Sequence, residues 1–201
     1  MRNDKKAWAY RLVRGIFIGP FHMFFRPQIV NQNYIPKEGA CVIAGNHKHA
    51  LDPILVDAST TRIVHTLAKK DLHDGPMGWF FRAIGTIPVD LHAKHNKEAL
   101  EEAVEYLKEG NLINVSPEAK RNYTDEILLP FKYGAVVMAK RTGCKIVPYA
   151  ITGDYKFRSK NLKIVFDKPL DISEFSIEEA NQLLYDKVKG LLLATGDKRD
   201  E

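Results

Sequence analysis

The sequence ACVIAGNHKHALDPILV, residues 40–56, contains an apolar run, a polar loop and the start of a second apolar run. The first run, residues 40–44, predicts a buried strand, because short apolar runs behind turn residues are typical of sheets covered on both faces. Asp52 before Pro53 predicts a helix with the aspartate at its N-cap and the proline at its first position. His47 lies between them, so a histidine and a carboxylate follow the carboxyl end of one strand.

The alternation of strand and helix continues along the chain. Further strands are predicted at residues 63–68, 86–89, 112–115, 146–151 and, as a candidate edge strand, 162–166. Helices are predicted at residues 75–83, 96–109, 131–141 and 176–194, the last with Ser176 and Glu179 as a capping box. Apolar strands separated by helices predict an α/β fold with a mainly parallel central sheet covered by helices on both faces.

Composition limits the class of protein. The chain has 201 residues, 45% of them hydrophobic and 27% charged, which is typical of a globular protein with one well-filled core. Its two cysteines, Cys41 and Cys144, lie in apolar surroundings and are interpreted as small core residues in a reducing compartment. Two isolated cysteines do not predict a zinc site.

The N-terminal thirty residues differ from the rest of the chain. They hold six basic residues against one acidic residue and so carry the whole net charge of +5. They are also rich in aromatic rings, which favours an amphipathic helix in an anionic membrane surface. The residues predicted to contact the membrane are Trp8, Arg11, Arg14, Phe17, Phe21, Phe24 and Phe25. We therefore expect a membrane-binding segment at residues 1–33, followed by a domain at 34–201, and a peripheral, monotopic protein on the cytoplasmic face of a membrane.

The same segment could also be a membrane span, a signal peptide, a helix packed on the protein or a nucleic-acid-binding arm. The apolar stretch at residues 15–25 is shorter than the roughly 20 residues that span a bilayer, and Pro20 and His22 interrupt it. No small-residue cleavage site follows, so a signal peptide is not expected. The alternative is a helix packed on the body of the same protein. A nucleic-acid-binding arm is not expected, because such arms rarely carry this many bulky apolar residues.

His47 and Asp52, five residues apart, predict a general base with an orienting carboxylate. A histidine with a normal pKa of about 6.5 can take the proton of an alcohol, and a carboxylate on its other nitrogen fixes the tautomer. Two alternatives stay open. Asp52 could serve only as an N-cap, and His47 with His49 has a metal-ligand spacing, although no histidine-rich partner motif follows.

A second polar cluster, Ser116-Pro117-Glu118-Ala119-Lys120-Arg121, follows the strand predicted at residues 112–115. Glu118 could accept from a substrate hydroxyl, and Lys120 and Arg121 could face a phosphate, with Lys94 as a weaker candidate. A solvated loop is the alternative. Because ligands collect beyond the carboxyl ends of strands in parallel sheets, this cluster and His47 are expected at the same site.

In these blocks the chain resembles the glycerolipid acyltransferase family, in particular bacterial 1-acyl-sn-glycerol-3-phosphate acyltransferases. Asn46, His47 and Asp52 match the first motif of that family, and residues 85–90 are similar to the second. Residues 116–122 are similar to the third motif, Phe-Pro-Glu-Gly-Thr-Arg-Ser, and residues 130–135 and 146–151 match later blocks in order. The similarity runs from about residue 34 to residue 153.

The resemblance implies an acyltransferase domain in which His47 is the general base, Asp52 orients it, and Glu118 and Arg121 place glycerol phosphate. It implies direct transfer of a fatty acyl group from acyl-coenzyme A or acyl carrier protein to a lysophospholipid hydroxyl at a membrane surface, giving phosphatidic acid without a cofactor. Ala119 and Lys120 replace the glycine and threonine of the third motif, and Leu91 stands where an arginine often follows the second. These departures leave open another lysolipid acceptor, or a relative that binds acyl lipid without turnover.

Overall fold

The computed structural model describes residues 4–91 and 96–196. Its strands are β1 (Gln28–Val30), β2 (Cys41–Gly45), β3 (Val64–Lys69), β4 (Ile87–Val89), β5 (Leu112–Val115), β6 (Lys145–Thr152) and β7 (Lys163–Phe166). Its helices are α1 (Asp4–Phe25), α2 (Asp52–Ala58), α3 (Lys70–Asp74), α4 (Gly78–Ala83), α5 (Lys97–Lys108), α6 (Gly134–Thr142) and α7 (Ile177–Ala194).

The strands form one seven-stranded sheet in the order β1-β7-β6-β2-β5-β3-β4. All neighbouring strands are parallel except β6 and β7, so β1 and β7 run against the other five. The prediction of a mainly parallel sheet is confirmed. The prediction of β7 as a candidate edge strand is wrong, because β1 covers its outer side; at three residues, β1 is too short to show a strand pattern in the sequence.

The central strand β2 shows how the two faces of the sheet are covered. Cys41 and Ile43 pack with α1 and α2 on one face, whereas Val42 and Ala44 pack with α5, α6 and α7 on the other. Alternate residues of a strand point to opposite faces, and both faces of this one are buried. The continuous apolar run at residues 40–44 follows from that arrangement, and the predicted helical cover on both faces is confirmed.

Two of the predicted helices can be compared with the structure in detail. The helix predicted at residues 75–83 is α4, which ends at Ala83 as predicted but begins three residues later, at Gly78. Gly75 and Pro76 lie between it and α3, which the sequence did not predict. The capping box of α7 is confirmed: the Glu179 amide donates to Ser176 Oγ at 3.2 Å, and the Ser176 amide donates to Glu179 Oε2 at 2.8 Å.

Helix α1 is partly a core element. Tyr10 and Phe21 are buried, and the Tyr10 hydroxyl donates to Asp57 of α2 at 3.2 Å. The prediction that Phe21 contacts a membrane is therefore wrong, because its ring is 6% exposed and packs in the core. The boundary expected at residue 33 does not separate two units, since β1 lies before it and already belongs to the sheet.

The outer side of α1 is different in character. It exposes the large apolar side chains of Trp8, Leu12, Ile16, Phe17, Met23 and Phe24. Arg11 is exposed beside them, whereas Arg14 and Phe25 are half-buried. Among the described residues, no helix combines the length and apolar character needed to cross a bilayer. The helix is thus packed on the protein along one side and apolar toward solvent along the other.

Candidate active site

The two polar clusters meet at one edge of the sheet because β2 and β5 are adjacent, with Ala44 opposite Val115. The His47 amide donates to Glu118 Oε1 at 2.8 Å, and the Asn122 amide donates to the His47 carbonyl at 3.4 Å. The structure therefore brings together the loops that follow these two strands, as the sequence predicts.

His47 and Asp52 form a hydrogen-bonded pair, with 2.8 Å between Nδ1 and Oδ2. Asp52 is 1% exposed, whereas the His47 side chain is 26% exposed. A carboxylate only accepts, so the proton of the neutral ring lies on Nδ1 and the lone pair on Nε2. This is the tautomer that a general base needs, with one nitrogen held by the carboxylate and the other available to a substrate.

Asp52 is not the N-cap of α2, which corrects the sequence prediction. It is the first helical residue, Leu51 precedes it at the cap position, and the Ile54 amide donates to the Leu51 carbonyl at 3.0 Å. The carboxylate faces back toward the loop instead, where Oδ2 accepts from the amides of Lys48 at 2.7 Å and His49 at 2.8 Å. Asp52 therefore fixes the loop that carries His47 as well as the histidine ring.

Asn46 and Gly45 join this loop to the neighbouring strand β6. The Asn46 amide group donates to the Ile151 carbonyl at 3.0 Å, and its oxygen accepts from the Ile151 amide at 2.7 Å. A Cβ atom on Gly45 would lie 2.4 Å from both the ring and the carbonyl oxygen of Tyr149. Glycine is thus required where the chain leaves β2, and the loop is held by β6 on one side and by Glu118 on the other.

Tyr155, in the loop after β6, donates its hydroxyl proton to Asp52 Oδ1 at 2.7 Å. Burial and the Asp52 carboxylate raise the pKa of Tyr155, so the phenol stays protonated and remains a donor. Residue-level reasoning from the sequence missed this contact. The sequence gives one indication of a role for Tyr155: it follows the carboxyl end of a predicted strand, as His47 and Glu118 do.

Glu118 is a buried carboxylate between the two loops, and its contacts are with backbone amides; its predicted contact with a substrate hydroxyl stays a prediction. It is 4% exposed; Oε1 accepts from the His47 amide and Oε2 from the Leu129 amide, each at 2.8 Å. The carboxylate thus satisfies backbone donors that have no strand partner at the end of the sheet. These contacts indicate that Glu118 holds the site together.

Ala119 has a φ of +59°, in the left-handed region that glycine adopts without steric cost. Its amide donates to the Ser116 carbonyl at 3.0 Å, which closes a tight turn under Glu118. The sequence departs from the family motif at this residue, where glycine is usual. Ala119 therefore carries a Cβ atom in a conformation that costs a non-glycine residue strain.

The predicted phosphate-binding cations are at the surface of the same loop. Lys120 and Arg121 are exposed, and the Arg121 guanidinium lies 5.3 Å from the centre of the Tyr123 ring. Within residues 4–91 and 96–196, neither side chain forms an ion pair. Leu91 is also exposed, and Lys94 lies outside the described residues.

His49, which raised the alternative of a metal site, has other contacts. Its Nδ1 accepts from the Leu51 amide at 3.2 Å, and its ring stacks on Tyr155 with 4.5 Å between ring centres. Among the described residues, no three metal-ligating side chains of His, Cys, Asp or Glu are grouped around a common point.

A mainly parallel sheet with a carboxylate-oriented histidine beyond its central strand defines an α/β protein whose site can supply a general base. The model of the Acyltransferase family matches residues 26–152, more than half of the chain, and this range includes His47, Asp52 and Glu118. The chain therefore belongs to the Acyltransferase family, and the resemblance seen in its motifs is confirmed.

Two relatives carry the same name. The chain is 30% identical over 146 residues to the 1-acyl-sn-glycerol-3-phosphate acyltransferase of Borreliella burgdorferi, covering 72% of this chain and 57% of that protein. It is 33% identical over 128 residues to the Helicobacter pylori protein of that name, covering 62% of this chain and 54% of that protein. The chain thus spans little more than half the length of these relatives.

The fold is also shared with a solved structure. The crystal structure of the 1-acyl-sn-glycerophosphate acyltransferase from Thermotoga maritima matches with a TM-score of 0.78 at 22% identity, over 98% of this chain and 83% of that one. The likeness covers the mainly parallel sheet and its flanking helices.

Proposed function

We propose that this chain transfers a fatty acyl group from a thioester, acyl-coenzyme A or acyl carrier protein, to the free hydroxyl of 1-acyl-sn-glycerol 3-phosphate, giving phosphatidic acid. Family membership and the names of the relatives support this proposal. The observation that carries it is the His47–Asp52 pair, which leaves Nε2 of a partly exposed ring free to accept a proton.

The proposed reaction has two steps. His47 Nε2 takes the hydroxyl proton as the acceptor oxygen attacks the thioester carbonyl carbon, and Asp52 stabilises the imidazolium that forms. The new carbon–oxygen bond then replaces the carbon–sulfur bond, and the imidazolium returns the proton to the departing thiolate. No acyl-enzyme forms and no cofactor takes part, since the thioester already activates the acyl group.

The test is acyl transfer by the purified protein in mixed micelles, with a thioester donor and lysophosphatidic acid, followed by mass spectrometry of the product. We expect phosphatidic acid from the unaltered protein. His47→Gln should lower turnover by roughly 10²–10⁴-fold, the usual contribution of a general base, while His22→Gln on α1 should not. Donor binding without transfer would instead favour a relative that binds acyl lipid without turnover, which the altered third motif allows.

We further propose that the outer side of α1 attaches the protein to the cytoplasmic face of a membrane. Its apolar side chains and Arg11 suit an anionic lipid surface, where rings enter the interface and cations meet phosphates. Deleting residues 1–30 is a poor test, because it would also remove the buried Tyr10 and Phe21 and the strand β1.

Substitutions on the exposed side of α1 give a cleaner test. Trp8→Ser with Leu12→Ser should weaken co-sedimentation with anionic vesicles, because both side chains are exposed and leave the core intact. The matched control is Phe175→Ser with Leu193→Ser, which removes two exposed apolar side chains, one just before α7 and one within it, on the other face of the sheet. Equal losses in both pairs would contradict attachment through α1.

A further inference from the structure

Tyr155 contacts the oxygen of Asp52 that is turned away from His47. Oδ2 accepts from His47 Nδ1 and from two loop amides, whereas Oδ1 accepts from the Tyr155 hydroxyl at 2.7 Å. Hydrogen bonds between a neutral hydroxyl and a carboxylate are among the stronger ones in proteins. Tyr155 therefore acts directly on the carboxylate that orients the histidine.

The Tyr155 ring packs against three other aromatic rings. It stacks on His49 at 4.5 Å with an angle of 21° between the rings, and it meets the edge of Phe25 at 5.7 Å. Phe21 approaches the same ring at 6.5 Å. The C-terminal end of α1 and the His49 ring thus pack against Tyr155, whose hydroxyl in turn bonds to Asp52.

We infer that Tyr155 is a positioning residue of the proposed acyl transfer, which fixes the direction and the basicity of the Asp52 carboxylate. This inference rests on the proposed function. Tyr155 lies just beyond the range that the family model matches, residues 26–152, and forms no contact with the reacting atoms in the described geometry. It acts on His47 only through Asp52.

The charged and titratable groups around the pair come from every neighbouring element. Lys48 and His49 lie on the loop after β2, Glu118 on the loop after β5, Tyr149 on β6, and Asp154 beside Tyr155. Burial raises the pKa of Tyr149, and Lys156 and Asn161 partners lower the pKa of Asp154 against its own desolvation. Tyr155→Phe leaves all of these side chains in place, and the hydroxyl that it removes bonds to Asp52, so we expect a change in the pH profile to report on Asp52 and His47.

The test is Tyr155→Phe, which keeps the ring contacts and removes the hydroxyl. Without the hydrogen bond from Tyr155, more negative charge would remain on the Asp52 carboxylate, which would then stabilise the imidazolium of His47 more strongly. We expect the acidic limb of the kcat/KM profile to move to higher pH by roughly half a unit. The substitution also removes the contact that fixes the direction of the carboxylate, so His47 is oriented less well, and we expect kcat to fall about 10-fold with little change in KM.

The matched control is Tyr10→Phe. Tyr10 also donates its hydroxyl to an aspartate of α2, Asp57, but that carboxylate is at the far end of the helix from His47. Both variants lose one tyrosine–aspartate hydrogen bond, so both should lose some thermal stability. Only Tyr155→Phe should move the pH profile.

Two further measurements separate the possible outcomes. In an Asp52→Asn background, Tyr155→Phe should cost almost nothing more, because its effect passes through Asp52; an undiminished loss there would overturn the inference. NMR titration of labelled histidine, with His47→Gln to assign the signal, should show the His47 resonances changing at higher pH in Tyr155→Phe. That readout needs no acyl transfer, so an inactive protein would refute the proposed function while still testing Tyr155.

Discussion

Glu118→Gln is the substitution that best distinguishes a residue that holds the site together from one that binds the acceptor. The two side chains have the same shape, but glutamine offers one acceptor oxygen and one donor group. Glu118 accepts from the amides of His47 and Leu129, one on each oxygen, and is 4% exposed. In the variant, the amide nitrogen would face one of these donors, which would remain unsatisfied in a buried position.

The size of the effect follows from those contacts. A hydrogen bond to a charged group contributes about 1.5–3 kcal/mol, and a buried donor without a partner costs about 1–3 kcal/mol. We therefore expect the free energy of unfolding to fall by roughly 2–4 kcal/mol, and the melting temperature by roughly 5–15 °C for a chain of this size. Turnover should fall as well, since the His47 loop loses its hydrogen bond to the Glu118 carboxylate.

Thermal and guanidinium unfolding would be measured together with acceptor titrations. Glu174→Gln, which neutralises an exposed carboxylate near α7, is the control for loss of charge. Unchanged stability in Glu118→Gln, combined with a higher KM for lysophosphatidic acid alone, would refute the supporting role and restore Glu118 as a direct acceptor ligand.

Three other predictions follow from described residues. Ala119→Gly should stabilise the protein by about 1 kcal/mol, because it relieves the strain of a non-glycine residue at a φ of +59°. Gly143→Ala should destabilise it by a similar amount, because Gly143 has a φ of +67° and no neighbour near its Cβ position. Chemical denaturation measures both effects. Burial raises the pKa of Asp57 to about 7, so its ionisation opposes folding and stability should fall as pH rises from about 4 through 7. Asp57→Asn should remove that fall, by an amount on the order of 2–4 kcal/mol at pH 8 in unfolding experiments; an identical pH dependence in the variant would contradict it. Arg121→Ala should raise the KM for lysophosphatidic acid more than Lys120→Ala does, and leave monoacylglycerol use unchanged; equal effects on both acceptors would make Arg121 structural.

The local part of this structure could be predicted from sequence, because its signals are short. The apolar run of β2 and the five-residue spacing of His47 and Asp52 are visible within a single stretch. Adjacent strands then bring the Glu118 loop to the same edge of the sheet. Each of these steps needs only periodicity and the geometry of parallel strands.

The remainder depends on tertiary contacts that a pattern does not contain. Asp52 before a proline matches the sequence pattern of an N-cap. In the structure, its carboxylate accepts from two loop amides instead, and Asp52 is the first helical residue, with Leu51 at the cap position. Phe21 lies in a segment whose composition is typical of a membrane-binding helix, but its side chain is buried in the core. Tyr155 is 103 residues from Asp52, so only the completed sheet brings the two together.

Such long separations along the chain affect the point during synthesis at which the His47–Asp52 site can form. His47 and Asp52 are synthesised almost together, but their partners follow much later in the chain. Asn46 bonds to Ile151, His47 to Glu118 and Asp52 to Tyr155, at separations of 105, 71 and 103 residues. Contacts between distant parts of a chain form late, because the entropy of closing a long loop must be overcome first. A nascent chain that has emerged only as far as β5 would hold the histidine and its aspartate on an unsupported loop. Catalytic geometry is therefore expected to appear only once β6 and the segment after it have docked, which makes activity itself a reporter of completed folding.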